Sequence, residues 1–90
     1  MGTALEGRVI AVAGGAGNLG PTVVRRLTDA GSRACVCGRD QEGLDALAAE
    51  IDAPIETDVV DLLDPVATKA WAADLSTRHG GRVDGLVHLV

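Results

Sequence analysis

The sequence predicts an α/β fold in which helices cover both faces of a parallel sheet whose strands run in the order 3-2-1-4. Three observations predict it. Short β-branched apolar runs alternate with helical stretches of about 12 residues, the pattern that right-handed crossovers between parallel strands require. Glycine or aspartate marks most junctions between them. Apolar residues make up 47% of the 90 residues and charged ones 23%, a globular balance too rich in Val, Leu, Ile and Ala for a disordered chain. A chain of this length supports one folded domain, residues 1–90, that buries about 60 to 65% of its unfolded surface. No internal repeat, linker or low-complexity segment divides it.

The first strand is the run Arg8 to Ala13, apolar enough to be buried on both faces. A helix follows from Asn18 to Ala30, with Leu19, Val23, Val24 and Leu27 as its apolar stripe, Pro21 in its first turn and Gly31 after its end. Arg33 to Cys37 is the second strand. Asp40 is placed to cap a helix from Gln41 to Ile51 that turns Leu44, Leu47, Ala48 and Ile51 inward. Ile55 to Val59 is the third strand. Asp64-Pro65 opens a helix reaching about His79, with Val66, Ala70, Ala73 and Leu75 on or near its buried side, and Gly80-Gly81 stops it. Val83 to Val90 is the fourth strand.

A formal net charge of −5 with scattered basic residues argues against a nucleic-acid partner, which needs clustered Lys and Arg to displace counterions. No apolar stretch approaches the roughly 20 residues of a membrane span, and Met1 to Gly7 carries Glu6 in place of an apolar leader core. The expectation is a cytoplasmic protein with neither a nucleic-acid nor a membrane partner. Cys35 and Cys37, two apart in a strand, share a face at a poor distance for a disulfide. Without His or carboxylate partners at ligand spacing they read as small core residues and not as a metal site.

The most informative stretch lies between the first strand and the first helix: Ala13-Gly14-Gly15-Ala16-Gly17-Asn18-Leu19-Gly20. Glycines there let the chain turn sharply, bring backbone close to a diphosphate and pack helix against strand. The helix N-terminus adds N–H groups and positive dipole. This is the context in which such a pattern means dinucleotide binding, through Gly14, Gly15, Gly17, Asn18, Leu19 and Gly20. No Gly-Lys-Ser/Thr ending is present, which disfavours a nucleotide hydrolase.

Past the second strand, Gly38 stands where an NAD site would carry the carboxylate that holds the ribose hydroxyls, and Arg39 follows. An arginine there can pair with a 2′-phosphate through charge-assisted bonds of about 1.5 to 3 kcal/mol. The pattern favours NADP(H) over NAD(H); the alternative makes Arg39 a solvated residue partnering Asp40 or Glu42.

From Arg8 through Val90 the chain resembles the first half of the short-chain dehydrogenase/reductase family. The family's T-G-x-x-x-G-x-G turn falls on Ala13 to Gly20, with Ala13 for Thr and Asn18 for the middle Gly. The T-G-x-x-G-x-x-G spacing of the extended, epimerase-like branch fits Gly14, Gly17 and Gly20 better. Asp58-Val59-Val60-Asp61 is similar to the reductase-like D-V-T-D segment, as is Gly38-Arg39-Asp40 before an Ala/Leu-rich helix. The resemblance implies a Rossmann-like, partial βαβαβαβ unit in which Asp58 bonds the adenine amino group and Val59 packs by the ring. It also implies an N-N-A-G motif after the fourth strand, where this chain has His88 and Leu89. His88 is a candidate coenzyme contact, although a packed, satisfied histidine in a buried strand is the reading favoured here; His79 reads as a capping cation or solvated residue.

The family's hydride transfer between nicotinamide and a carbonyl or alcohol relies on a Tyr-x-x-x-Lys pair. This chain has no tyrosine, and Lys69 is its one lysine. No catalytic or metal-binding residue is therefore assigned. The ending inside an apolar strand suggests a truncated or partial protein whose parent acts on a small carbonyl or alcohol substrate. A free-standing nucleotide-binding or interaction module and the start of an extended-branch enzyme acting on nucleotide sugars are the alternatives. Substrate and stereochemistry stay open, as does homo-oligomer formation by a longer parent.

Overall fold

All five residues of β1 (Val9–Ala13) are buried, as an unbroken apolar run demands of a strand held between two layers. The computed structural model describes residues 4–15 and 18–89. After β1 come α1 (Gly20–Asp29), β2 (Arg33–Gly38), α2 (Gln41–Glu50), β3 (Ile55–Val59), α3 (Pro65–Arg78) and β4 (Gly85–His88). The four strands form one sheet in the order β3-β2-β1-β4, and every pairing is parallel. This is the α/β, Rossmann-like arrangement expected of the sequence.

Alternation along the strands divides the core in two. Ile10, Val12, Ala34 and Val36 face α1 and α2, where they meet Val24, Leu44, Leu47 and Ile51. Val9, Ala11, Ala13, Cys35 and Cys37 face the other way, onto Trp71 and Leu75 of α3. Burying each Val, Leu or Ile among them contributes about 1.5 to 3 kcal/mol. The N-cap expected at Asp40 forms, and Asp64, expected to open its helix, caps it as well. The Asp40 carboxylate accepts from Glu42 N at 3.1 Å, and that of Asp64 from Val66 N at 3.0 Å and Ala67 N at 3.3 Å, joining orphan amides to acceptors at the start of α2 and α3.

Four expectations are corrected. In α3 the buried side is Trp71 and Leu75, with Ala67 against the same cluster, whereas Val66, Ala70 and Ala73 are exposed. A stripe at spacing four from Ala67 faces the sheet, and Val66 lies a third of a turn away from it. In α2, Ala48 is exposed beside Leu47 for the same geometric reason. Leu19 sits at the N-cap of α1 and is 65% exposed, because the helix begins at Gly20 and not at Asn18. Finally, β4 spans Gly85–His88 in place of Val83 to Val90, of which Val90 lies outside the described residues. Asp84 leaves the regular ladder: its N–H donates to Val9 O while its carboxylate accepts from Val9 N, both at 2.7 Å.

β4 is an edge strand whose residues alternate between half-buried and exposed. Leu86 is 66% exposed, and between β4 and α3 lies an apolar cleft lined by Ala11, Ala13, Trp71, Leu75, Leu86 and His88. Among the described residues, no helix is long and apolar enough to cross a membrane.

Candidate coenzyme site

The carboxyl ends of the four strands bring nearly all of the candidate residues to one edge of the sheet. Ala13 pairs with Cys37 on one side and with His88 on the other, and Cys37 pairs in turn with Asp58. Gly14, Arg39, Val59 and His88 therefore lie along a single line at the ends of β1, β2, β3 and β4. Gly17 lies outside the described residues.

Two local constraints shape the turn after β1. Gly14 has φ +86°, a conformation that side chains disfavour. A Cβ on Gly20 would run into the carbonyl of Gly15, so the start of α1 lies directly against the strand end. The amides of Gly14 and Gly15 both point at Cys37 O, at 2.9 and 3.4 Å, which anchors the turn to β2. They are thereby engaged within the protein, and an anion would have to be held further along. Among the described residues, the N–H groups of Asn18, Leu19, Gly20 and Thr22 meet no acceptor, and Leu19 as N-cap makes no side-chain cap bond. A helix N-terminus presents N–H groups and positive dipole to an anion. Asn18 and Leu19 are both exposed there.

Arg39 is exposed just past β2 and forms no ion pair or hydrogen bond among the described residues, so its pairing with Asp40 or Glu42 is not found. The acids around it have other partners. Asp40 caps α2, Asp61 Oδ1 accepts from Leu63 N at 3.0 Å, and Asp58 is turned toward α3. Asp58 Oδ2 accepts from Trp71 Nε1 at 3.1 Å and from Arg78 Nη2 at 2.8 Å, whereas Oδ1 makes no hydrogen bond among the described residues. Val59 is 52% exposed at the strand end. His88 is exposed and unbonded among the described residues, contrary to the packed histidine expected, because no described residue covers the edge strand on that side. Together these residues fit a dinucleotide: a backbone cradle that a Cβ would fill, open amides at a helix start and an unopposed cation beyond the next strand. The apolar cleft between α3 and β4 fits one poorly, since its lining carries no group with a fixed charge.

Several contributors escaped the sequence reading. Arg78 gathers three carboxylates, with Nη1 at 3.0 Å from Glu56 and Nη2 at 2.8 Å from Asp58 and 2.7 Å from Asp74. Asp58 above all, and then Asp74, hold this guanidinium above its ordinary pKa against a desolvation cost. Spacing of four between Asp74 and Arg78, and of two between Glu56 and Asp58, is the sequence signal for this cluster. His79 is neither solvated nor only a cap: its ring lies against Glu56 and Cys35, and its side chain is 15% exposed. Cys35 and Cys37 are free, fully buried thiols, as expected of core residues. Burial first, then Glu56 for Cys35 and Asp58 for Cys37, pushes both from 9.0 to about 11. The N–H of Gly14 opposes that rise at Cys37.

A family model described as short chain dehydrogenase matches residues 8–90. Among solved structures, levodione reductase is 30% identical with a TM-score of 0.82, covering 91% of this chain and 33% of its own. A short-chain dehydrogenase/reductase from Serratia marcescens is 22% identical with a TM-score of 0.85, over 96% of this chain and 36% of its own. A citronellol catabolism dehydrogenase from Pseudomonas aeruginosa is 24% identical with a TM-score of 0.86, over 93% and 36%. The chain thus spans about a third of the length of these structures. No curated protein matches it.

Proposed function

The chain belongs to the short-chain dehydrogenase family, and from that premise we propose that residues 1–90 form a single NAD(P)-binding unit of an oxidoreductase that prefers NADP(H). When bound, the nicotinamide supplies the hydride exchanged with a small carbonyl or alcohol substrate, which residues beyond this unit would hold. The observation that carries the reading is the pairing, at one edge of the sheet, of an open α1 N-terminus with an uncompensated Arg39.

In this reading the amides of Asn18, Leu19, Gly20 and Thr22 hold the diphosphate, with Gly14, Gly15 and Gly17 shaping the turn that lets it approach. Arg39 takes the 2′-phosphate. Asp58 accepts from the adenine amino group through Oδ1, its Oδ2 being fixed by Trp71 and Arg78. Val59 covers the ring, and His88 lies at the nicotinamide side of the same edge. Two reduced, buried thiols accord with a cytoplasmic setting.

Titration of the chain with NADPH and NADH tests the assignment. Tighter binding of NADPH is expected, and Arg39→Ala should weaken it by about 10- to 100-fold, the worth of one charge-assisted bond, while leaving NADH unchanged. Equal affinity for the two coenzymes in the parent chain would refute the preference.

A further inference from the structure

At the opposite end of the sheet from the glycine turn, three side chains from distant parts of the sequence converge. Cys35 Sγ lies 3.6 Å from His79 Nε2, and the same nitrogen lies 3.1 Å from Glu56 Oε2. The three ligand-type atoms all fall within 4.8 Å of one another. Cys35 is fully buried, and the side chains of His79 and Glu56 are 15% and 24% exposed, so the cluster is covered on the inside and open to solvent on one side.

The imidazole nitrogen faces both the thiol and the carboxylate, so one point between them lies within reach of a sulfur, a nitrogen and an oxygen donor. We infer that Cys35, Glu56 and His79 form a binding site for a zinc-class divalent ion, with water in the fourth position.

Ligand chemistry selects the class of ion. A thiolate, an imidazole and one carboxylate oxygen suit a borderline ion of the zinc type, whereas Mg²⁺ and Ca²⁺ demand oxygen shells. Bonds of about 2.3 Å to sulfur and 2.0 to 2.1 Å to nitrogen and oxygen give tetrahedral ligand–ligand edges of about 3.3 to 3.6 Å. The separations of 3.6 and 3.1 Å are close to those edges. On binding, Cys35 releases its proton to solvent and His79 binds neutral, so thiolate, carboxylate and dication sum to zero charge. Glu56 Oε1 stays on Arg78 at 3.0 Å and orients the carboxylate, as outer-shell partners do. Arg33, 3.6 Å from Glu56 Oε2, is the group the ion would displace from that oxygen. The site ties β2, β3 and the end of α3 together, and none of its three ligands is a coenzyme residue.

Cobalt(II) titration of the reduced, metal-free chain tests this through the thiolate-to-cobalt charge-transfer band and the intense visible absorption of tetrahedral cobalt. One equivalent should bind, and zinc should displace it. Cys35→Ala should abolish the charge-transfer band, Cys37→Ala should leave it, and His79→Gln should weaken binding at least about tenfold. His79 caps a helix at the rim, so its variant keeps the test decisive even if Cys35→Ala does not fold. Absence of the band in the folded parent, its persistence in Cys35→Ala, its loss in folded Cys37→Ala, or unchanged affinity in His79→Gln would each overturn the site.

Discussion

At the amino end of the sheet polar groups meet partners from the chain itself. Asp84 closes the gap between β1 and β4 by accepting from Val9 N at 2.7 Å while ion-pairing with Arg82 at 3.0 Å and Arg8 at 3.5 Å. Arg78 does the same for Glu56 and Asp74, and reaches on to Asp58 near the carboxyl end. At the carboxyl end, four amides of the α1 start and the Arg39 guanidinium meet no partner among the described residues. One end ties its polar groups to each other; at the other, the described residues offer these groups no partner. The two ends should therefore respond differently to substitution.

The largest effect is expected at the open end. Gly20→Val drives side-chain atoms into the Gly15 carbonyl and shifts the helix start. Losing two charge-assisted bonds at about 1.5 kcal/mol each should weaken NADPH binding at least about 100-fold, and overpacking should lower stability by about 1 to 3 kcal/mol. Calorimetric titration and denaturant unfolding read the two. A variant binding with parental affinity would break the contrast between the ends.

The two cysteines sample both ends from within one strand, and their linkage acts on the whole fold and not on coenzyme binding. Each folded thiol titrates at about 11 against an ordinary 9.0. A raised folded pKa stabilises fully below the unfolded value, and that contribution fades as pH rises from 9.0 toward about 11. Stability should fall in this window with a slope approaching about 1.4 kcal/mol per pH unit for each thiol. The chain has no tyrosine to titrate alongside. Denaturant unfolding across the window should show a flatter profile in the Cys35→Ala, Cys37→Ala double variant, and an equal slope would contradict the assignment.

The smallest effect belongs to Asp84. The N–H of Val9, and then Arg82 and Arg8, hold its carboxyl below the ordinary carboxylate value. A depressed folded pKa stabilises above the unfolded value and is lost as pH falls through the folded one. Asp84→Ala should thus melt earlier at neutral pH, and the gap should narrow below about pH 4. Its affinity for coenzyme should stay within about twofold of the parent, the end being distant from the ligand. A large loss of binding would erase the distinction.

Sequence reading recovered the strand order, the Asp40 cap and the helix start at Asp64-Pro65 because these depend on local signals: apolar period, proline in a first turn, a carboxylate before a helix. It misplaced the buried side of α3 because Ala, Val and Trp sit all around that helix, and only contact with Cys35 and Cys37 selects Trp71 and Leu75. It took His88 for a packed residue because a histidine in an apolar run looks the same whether or not a layer covers it. At the candidate site, the glycines and Arg39 were legible as residue types in order. That Gly14 and Gly15 direct their amides at Cys37 was not, since hydrogen-bond direction depends on the neighbouring strand. Glu56 and His79 were missed around Cys35 for a like reason: 44 residues separate Cys35 from His79, and only the return of α3 brings them together.

Backbone amide NMR of the 90-residue chain, titrated with NADPH, tests the central claim most directly. The account predicts the largest shifts at the N–H groups of Asn18, Leu19, Gly20 and Thr22, smaller ones at Arg39 and Val59, and none at Val9 or Asp84. Shifts centred on the Asp84 end, or on the cleft between α3 and β4, would contradict it.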